Sequence, residues 1–361
     1  MICKTICTGI LLLLAAVAGY AQTGPTVTAY FAGNAVEVAA VPAEKLTHII
    51  YSFCHLKGNR LNVDNAADSA TIRALVQLKN KNPGLKVLLS LGGWGGCASC
   101  SDVFSSPSGR AEFAASVQEL QEYFKTDGID LDWEYPAIPG YPGHKFQQQD
   151  RGNFTQLLKD LRKRLGPASE ISFAAGGFTE FIEDAIEWEN VVQYVDRINL
   201  MTYDLVNGYS TVTGHHTGLY AGAPDAESTD KTVNNLLRRN VPAEKLVIGA
   251  AFYARVWENV SAGNGGLFQA GKFKTSIPFK DFGRRLSEES GYRYFWDSTA
   301  QAPYRYNESK KLFATFDDVR SLQLKTQYVI DKKLNGIMFW EITHDKPGGG
   351  LLEAIHSTLS K

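Results

Sequence analysis

Eight short apolar runs, separated mostly by longer amphipathic stretches, constrain this chain more than any other feature. The runs are residues 26–32, 48–53, 86–92, 128–134, 171–176, 197–203, 245–251 and 336–342. Their length and their β-branched and aromatic content read as buried strands. The intervals carry apolar residues at helical spacing. Residues 69–81 place Ile72, Leu75, Val76 and Leu78 on one face, and 111–125, 153–165, 229–239 and 316–333 follow the same rule. Eight strands alternating with helices predict an α/β chain closed as a (β/α)8 TIM barrel. An open doubly wound sheet is the rival, but it places a glycine fingerprint for phosphates after its first strand. Phe31-Ala-Gly33-Asn is not one.

One interval breaks the rhythm. About sixty residues separate the seventh run from the helical pattern near Thr315, too many for a structureless loop. They are dense in aromatics, as in Tyr292-Arg-Tyr294-Phe-Trp296 and Tyr304-Arg-Tyr306. An inserted small α+β subdomain over residues 257–311 is expected, between strand 7 and helix 7. It would follow the C-terminal end of a strand, where barrels build their sites.

The remaining composition narrows the function. Lys and Arg number 37 against 38 Asp and Glu, so no electrostatic footprint for nucleic acid is present. Lys4, the apolar run from Ile10 to Ala18 and the small residues Gly19 and Ala21 read as a secretory signal cut after Ala21. Residues 1–21 are then the signal and 22–361 the catalytic unit, exported to the periplasm or beyond, with no membrane span. Cys54, Cys97 and Cys100 remain after the cut. Cys97-Ala-Ser-Cys100 is the local disulfide candidate in an oxidising compartment. No metal-ligand spacing is visible, and neither a metal nor another cofactor is expected. Asn153, Asn259 and Asn307 fit the glycosylation sequon, a pattern common by chance. His215-His216 reads as a solvated loop pair and Gly348-Gly-Gly350 as a turn.

The chemistry sits in Asp127-Gly-Ile-Asp130-Leu-Asp132-Trp-Glu134-Tyr-Pro136. Asp130, Asp132 and Glu134 alternate along a strand and so share one face, with Ile129, Leu131 and Trp133 on the other. Same-face neighbours lie about 7 Å apart, close enough for the carboxyl tips to meet. Three anions in a partly dry site do not all ionise, so one carboxyl keeps a proton near neutral pH. That proton is what a general acid needs. A solvated edge strand and a hard-cation site are the other readings of such a ladder.

The ladder resembles the Asp-x-x-Asp-x-Asp-x-Glu signature of glycoside hydrolase family 18, the chitinases. Ser90-Leu-Gly92-Gly93-Trp94, Met201-Thr-Tyr203-Asp204, Phe252-Tyr253-Ala-Arg255 and Gly336-Ile-Met-Phe-Trp340-Glu resemble that family's third-, sixth-, seventh- and eighth-strand motifs. Ala254 stands where the family often has Gly. The expected insertion resembles that of the deep-cleft subgroup.

The resemblance implies substrate-assisted hydrolysis of β-1,4-linked N-acetylglucosamine, with the 2-acetamido group as nucleophile and retention at the anomeric carbon. Glu134 is then the acid and base, and Asp132 orients the acetamido group. Asp130 shares a proton with Asp132, and Tyr203 bonds the acetamido group. Trp340 is the floor beneath the cleaved sugar, and Trp94 a platform on the leaving-group side. Tyr30, Phe53 and Met201 line the pocket, and Asp204, Tyr253 and Arg255 bond the sugar. Family members can carry cis bonds at Ser52-Phe53 and Trp340-Glu341. Trp133, Trp188 and Trp296 read as structural. The expected partner is chitin or chito-oligosaccharide, acted on by a monomer. An endo-acting enzyme on glycoprotein glycans and a non-catalytic chitin-binding lectin are the alternatives.

Overall fold

The computed structural model describes residues 24–361; the expected export signal, residues 1–21, lies outside the described residues. The barrel strands begin with β1 (Thr26–Phe31), β2 (His48–Lys57), β3 (Lys86–Gly92) and β4 (Gly128–Asp132). They continue with β5 (Glu170–Gly176), β6 (Arg197–Met201) and β7 (Leu246–Ala251). A second sheet follows, β8 (Tyr253–Glu258), β9 (Lys272–Pro278), β10 (Arg293–Asp297), β11 (Ala302–Asn307) and β12 (Leu312–Thr315), before the last barrel strand β13 (Gly336–Trp340). Neighbouring barrel strands pair in parallel, and β1 pairs with both β13 and β2, which closes the circle. The eight barrel strands coincide with the eight apolar runs to within a few residues at either end. A TIM barrel is thus the architecture, with helices such as α1 (Ala66–Gln77), α2 (Cys100–Ser105), α3 (Pro107–Phe124) and α4 (Asp150–Leu165) outside it.

Strand alternation builds two cores. Outward residues such as Ile129, Leu131, Phe173 and Ile248 pack under the helices in one large apolar cluster. Inward residues Tyr30, Ile50, Leu88, Ala174, Met201, Val247 and Met338 fill the barrel interior. The interior is therefore packed rather than open, and side chains at the upper ends of the strands face the rim.

Helix ends follow their caps. Ser106 accepts from Gly109 N at 3.0 Å, with Pro107 at the first turn of α3. Asp318 and Ser321 cap reciprocally the helix α5 (Val319–Asp331), so it begins three residues after the apolar pattern at Phe316.

The second sheet is antiparallel, ordered β9-β8-β12-β11-β10, and carries two small apolar clusters of its own. Its first strand starts only one residue after β7 ends, at Tyr253. Among the described residues no helix is long and apolar enough to cross a membrane.

Candidate active site

The carboxylate ladder rises along β4 and passes beyond its end. The strand stops at Asp132, so Glu134 leaves the regular pleat rather than ending it, as the apolar run had suggested. Asp127, at the foot, accepts from Val87 N at 2.7 Å and pairs with Lys79; it does not join the other three. Asp130 is fully buried and held by four donors. Ser172 Oγ reaches it at 2.6 Å, Ser90 Oγ at 2.8 Å, Asn199 Nδ2 at 3.1 Å and Tyr30 Oη at 3.2 Å. Burial raises its pKa and these four hydrogen bonds pull against the rise.

Asp132, 4% exposed, has a buried Oδ1 with no hydrogen-bond partner. Burial, then the charges of Glu134 and Asp130, hold its pKa well above the usual carboxylate range. Glu134, partly open to the cleft, is pushed up to about 7 by desolvation, with Tyr135 opposing and Asp204 adding. The upper ladder therefore binds protons at pH values where isolated carboxyls are ionised.

The other residues expected at the site lie on, or just after, strands of the barrel and of the second sheet. Tyr203 follows β6, and its hydroxyl lies 3.8 Å from Met338 Sδ; burial lifts its pKa well above the phenol range. Asp204, at φ 55°, accepts from Tyr253 Oη at 2.8 Å and from Arg255 Nε at 2.7 Å, and Arg255 Nη2 grips its other oxygen. Burial works against its charge, yet His216 and Arg255 hold its pKa below the usual value. Trp340 is stacked on Phe53, rings 5.6 Å apart at 14°, and tilted against Tyr30 at 5.8 Å. Met201 is packed inside the barrel. Trp94 stands apart at the rim, 48% exposed, with Tyr135, Tyr141 and Tyr209 around it.

Tyr30 lies deeper than a pocket wall: it is 1% exposed and its hydroxyl serves Asp130. The reading of His215-His216 as solvated is corrected. His215 bonds Asp297 Oδ2 at 3.0 Å, and His216 is fully buried behind Asp204 and Tyr253. Peptide bonds Ser52-Phe53, Glu134-Tyr135 and Trp340-Glu341 are cis, the second one unforeseen. Cys97 and Cys100 are joined in a disulfide and Cys54 is a buried free thiol. Ser90, Ser172, Asn199 and Tyr141 are the site residues that sequence reasoning did not assign. The register could have exposed the two serines, since Ser90, Asp130 and Ser172 lie side by side across β3, β4 and β5.

Among the described residues no group of three His, Cys, Asp or Glu side chains is placed to hold a metal ion. Buried acid, unpartnered carboxylate and aromatic walls together suit acid catalysis on a ligand that brings its own N–H and an apolar ring face.

Residues 26–345 match the family model described as glycosyl hydrolases family 18. Chitinase A1 of Niallia circulans is 34% identical over 77% of this chain, which spans 43% of that protein's length. Chitinase B of Serratia marcescens is 27% identical over 93% of this chain and 80% of its own. A solved family 18 N-acetylglucosaminidase from Paenibacillus barengoltzii superposes with a TM-score of 0.84 at 35% identity, covering 93% of this chain and all of that one.

Proposed function

The chain belongs to the glycosyl hydrolases of family 18, and from that membership we propose an exported, retaining chitinase that works through the substrate's own acetamido group. The observation that carries the reading is the buried, unpartnered Oδ1 of Asp132 beside Glu134, whose pKa burial raises to about 7. An acceptor buried without a donor is costly in an empty site. A substrate amide N–H supplies the missing donor.

In the first step Glu134 gives its proton to the glycosidic oxygen as that bond breaks. The carbonyl oxygen of the 2-acetamido group takes the anomeric carbon from the opposite face, forming an oxazolinium ion. Asp132 accepts the acetamido N–H and balances the positive charge that develops there. Asp130 shares the ladder's proton from the rung below. Its four protein donors anchor it, whereas Asp132 lacks a donor on Oδ1. Tyr203 hydrogen-bonds the acetamido group and holds its oxygen near the carbon, a positioning effect worth several kcal/mol of barrier. In the second step Glu134, now ionised, takes a proton from water as the water oxygen bonds the anomeric carbon and the oxazolinium C–O bond breaks, restoring the acetamido group. Two inversions give net retention.

Trp340 with Phe53 supplies the apolar floor for the sugar at the cleavage position, and Trp94 the platform for the leaving-group sugar. Asp204, Tyr253 and Arg255 form one bonded unit whose outer edge faces the sugar. The substrate is β-1,4-linked N-acetylglucosamine, as polymer or oligomer, and the relatives named chitinases support it.

The test is NMR of early products from the N-acetylglucosamine hexamer. β-anomeric ends are expected. α-Anomeric ends contradict the acetamido route, and binding without cleavage favours the endo-acting enzyme on glycoprotein glycans first and the lectin second.

A further inference from the structure

We infer that the Cys97–Cys100 disulfide and the Tyr141 ring are positioning devices for Trp94, fixing the leaving-group platform before sugar arrives. The inference rests on the proposed function, because it takes Trp94 as that platform.

Trp94 is carried by the most permissive backbone in the chain, Gly92-Gly93-Trp94-Gly95-Gly96. Nearly half of its side chain is exposed. Unbraced, such a segment samples many conformations, and a sugar stacking on the indole must freeze them. The loop is nevertheless tightly specified. Gly92 sits at φ 109°, and a Cβ there would lie 2.2 Å from Asp132 O. Gly93, at φ 80°, is pressed against the Phe53 ring, where a Cβ would come within 2.3 Å. A Cβ on Gly96 would stand 2.0 Å from Gly92 O, because the loop doubles back on itself.

Gly93 N donates to Asp132 O at 2.9 Å, and two further groups outside the glycine run hold that fold. The disulfide closes the loop where it enters α2, with both cysteines buried and Cys97 Sγ lying against Gly92. Within the turn, Gly96 N donates to Gly93 O at 2.8 Å and Cys100 N to Cys97 O at 3.1 Å. Tyr141 comes from the segment after the catalytic strand. Its ring lies over Gly95, where even a Cβ would sit 3.2 Å away, and meets Trp94 edge-on at 5.6 Å and 71°. Its backbone N–H donates to Glu134 O at 3.4 Å. One residue thus links the platform to the backbone of the acid, which sets where the leaving sugar lies relative to the proton it receives. A redox motif would use the same Cys-x-x-Cys pair as a reactive thiol. Here both sulfurs are sealed under the loop they shape.

The experiment is a double-mutant cycle read by calorimetric binding of the N-acetylglucosamine hexamer, on a Glu134→Gln background so that no turnover intervenes. Cys97→Ser/Cys100→Ser and Tyr141→Ala are each combined with Trp94 and with Trp94→Ala. With Trp94 present, each brace variant is expected to raise Kd about threefold to tenfold. With Trp94→Ala, the same variants are expected to change Kd less than about twofold. Equal factors in both backgrounds, or no change in either, overturn the inference. Tyr141 is an exposed ring on a surface loop, so its cycle decides the matter even if the cysteine variant fails to fold. Cleavage of the hexamer by the native enzyme is measured alongside. A hexamer that binds but is never cut defeats the chitinase reading and leaves the cycle to judge the brace. A hexamer that does not bind defeats both.

Discussion

Two buried carboxylates in this molecule are opposites. Asp317, beneath the second sheet, is fully buried with Lys325 Nζ at 2.7 Å, Ala251 N and Thr217 Oγ1 at 3.0 Å and Ser321 Oγ at 2.7 Å. Lys325 is also fully buried; burial pulls its pKa down and Asp317 pulls it back up. Both carboxylate oxygens have donors inside the protein, so the pair is structural: it ties β7, the loop after β6 and α5 together. Asp132 is almost as buried, but its strongest neighbours are two more carboxylates and one of its oxygens has no donor. Burial alone therefore does not mark a functional acid. What sets Asp132 apart from Asp317 is burial without a donor.

The contrast is sharpened most by removing the acid. Glu134→Gln is expected to lower kcat about 10³-fold with little change in KM, since proton transfer is lost and shape is kept. Steady-state assays that retain a tenth of the activity refute the assignment. Asp317→Ala is the opposite probe. It strands the Lys325 charge, which costs about 3–5 kcal/mol. A melting point about 5–10 °C lower is expected, with kcat of the folded enzyme within about threefold. An unchanged melt with collapsed kcat breaks the comparison.

The pH dependence follows from Glu134. In the proposed mechanism its conjugate acid is the active form, so kcat is expected to fall above pH of about 7, where the group ionises. A flat profile to pH 9 contradicts the raised pKa. Stability carries the same sign. A carboxyl with a raised native pKa binds more protons folded than unfolded, so stability is lost as pH rises from the ordinary carboxyl range to about 7. Glu134→Gln is therefore expected to raise the melting point by about 5 °C at pH 8 and hardly at all at pH 4. Scanning calorimetry at both values checks this smallest effect.

The barrel was legible because its strands are buried on both faces and so read as apolar runs. The ladder was legible because alternation on one strand is a local property. Asp130, Asp132 and Ile129 are placed on the faces that alternation assigns them. What the sequence hid depends on register and return. Ser90 and Ser172 flank Asp130 only because β3, β4 and β5 align as they do. Asn199 reaches the same carboxylate from β6. His216 looked like a loop residue because nothing local shows that the segment after β6 folds back under Asp204. The Asp317–Lys325 pair lay unseen inside a helical pattern whose polar positions looked solvated. The second sheet announced itself through aromatic density, but its first strand begins at Tyr253, four residues before the expected start, because β8 follows almost directly on β7.

In the proposed mechanism Asp132 waits for an amide that the substrate supplies, and the same amide's oxygen is the nucleophile. It is tested most directly with two nitrophenyl β-chitobiosides that differ at one position. One carries an acetamido group on the sugar bearing the nitrophenyl; the other carries a free amine there. The account predicts that the free amine lowers kcat/KM by about 10³-fold or more, since both the nucleophile and the donor to Asp132 are gone. Rates within about tenfold of each other would contradict it, because hydrolysis would then be proceeding without the acetamido group.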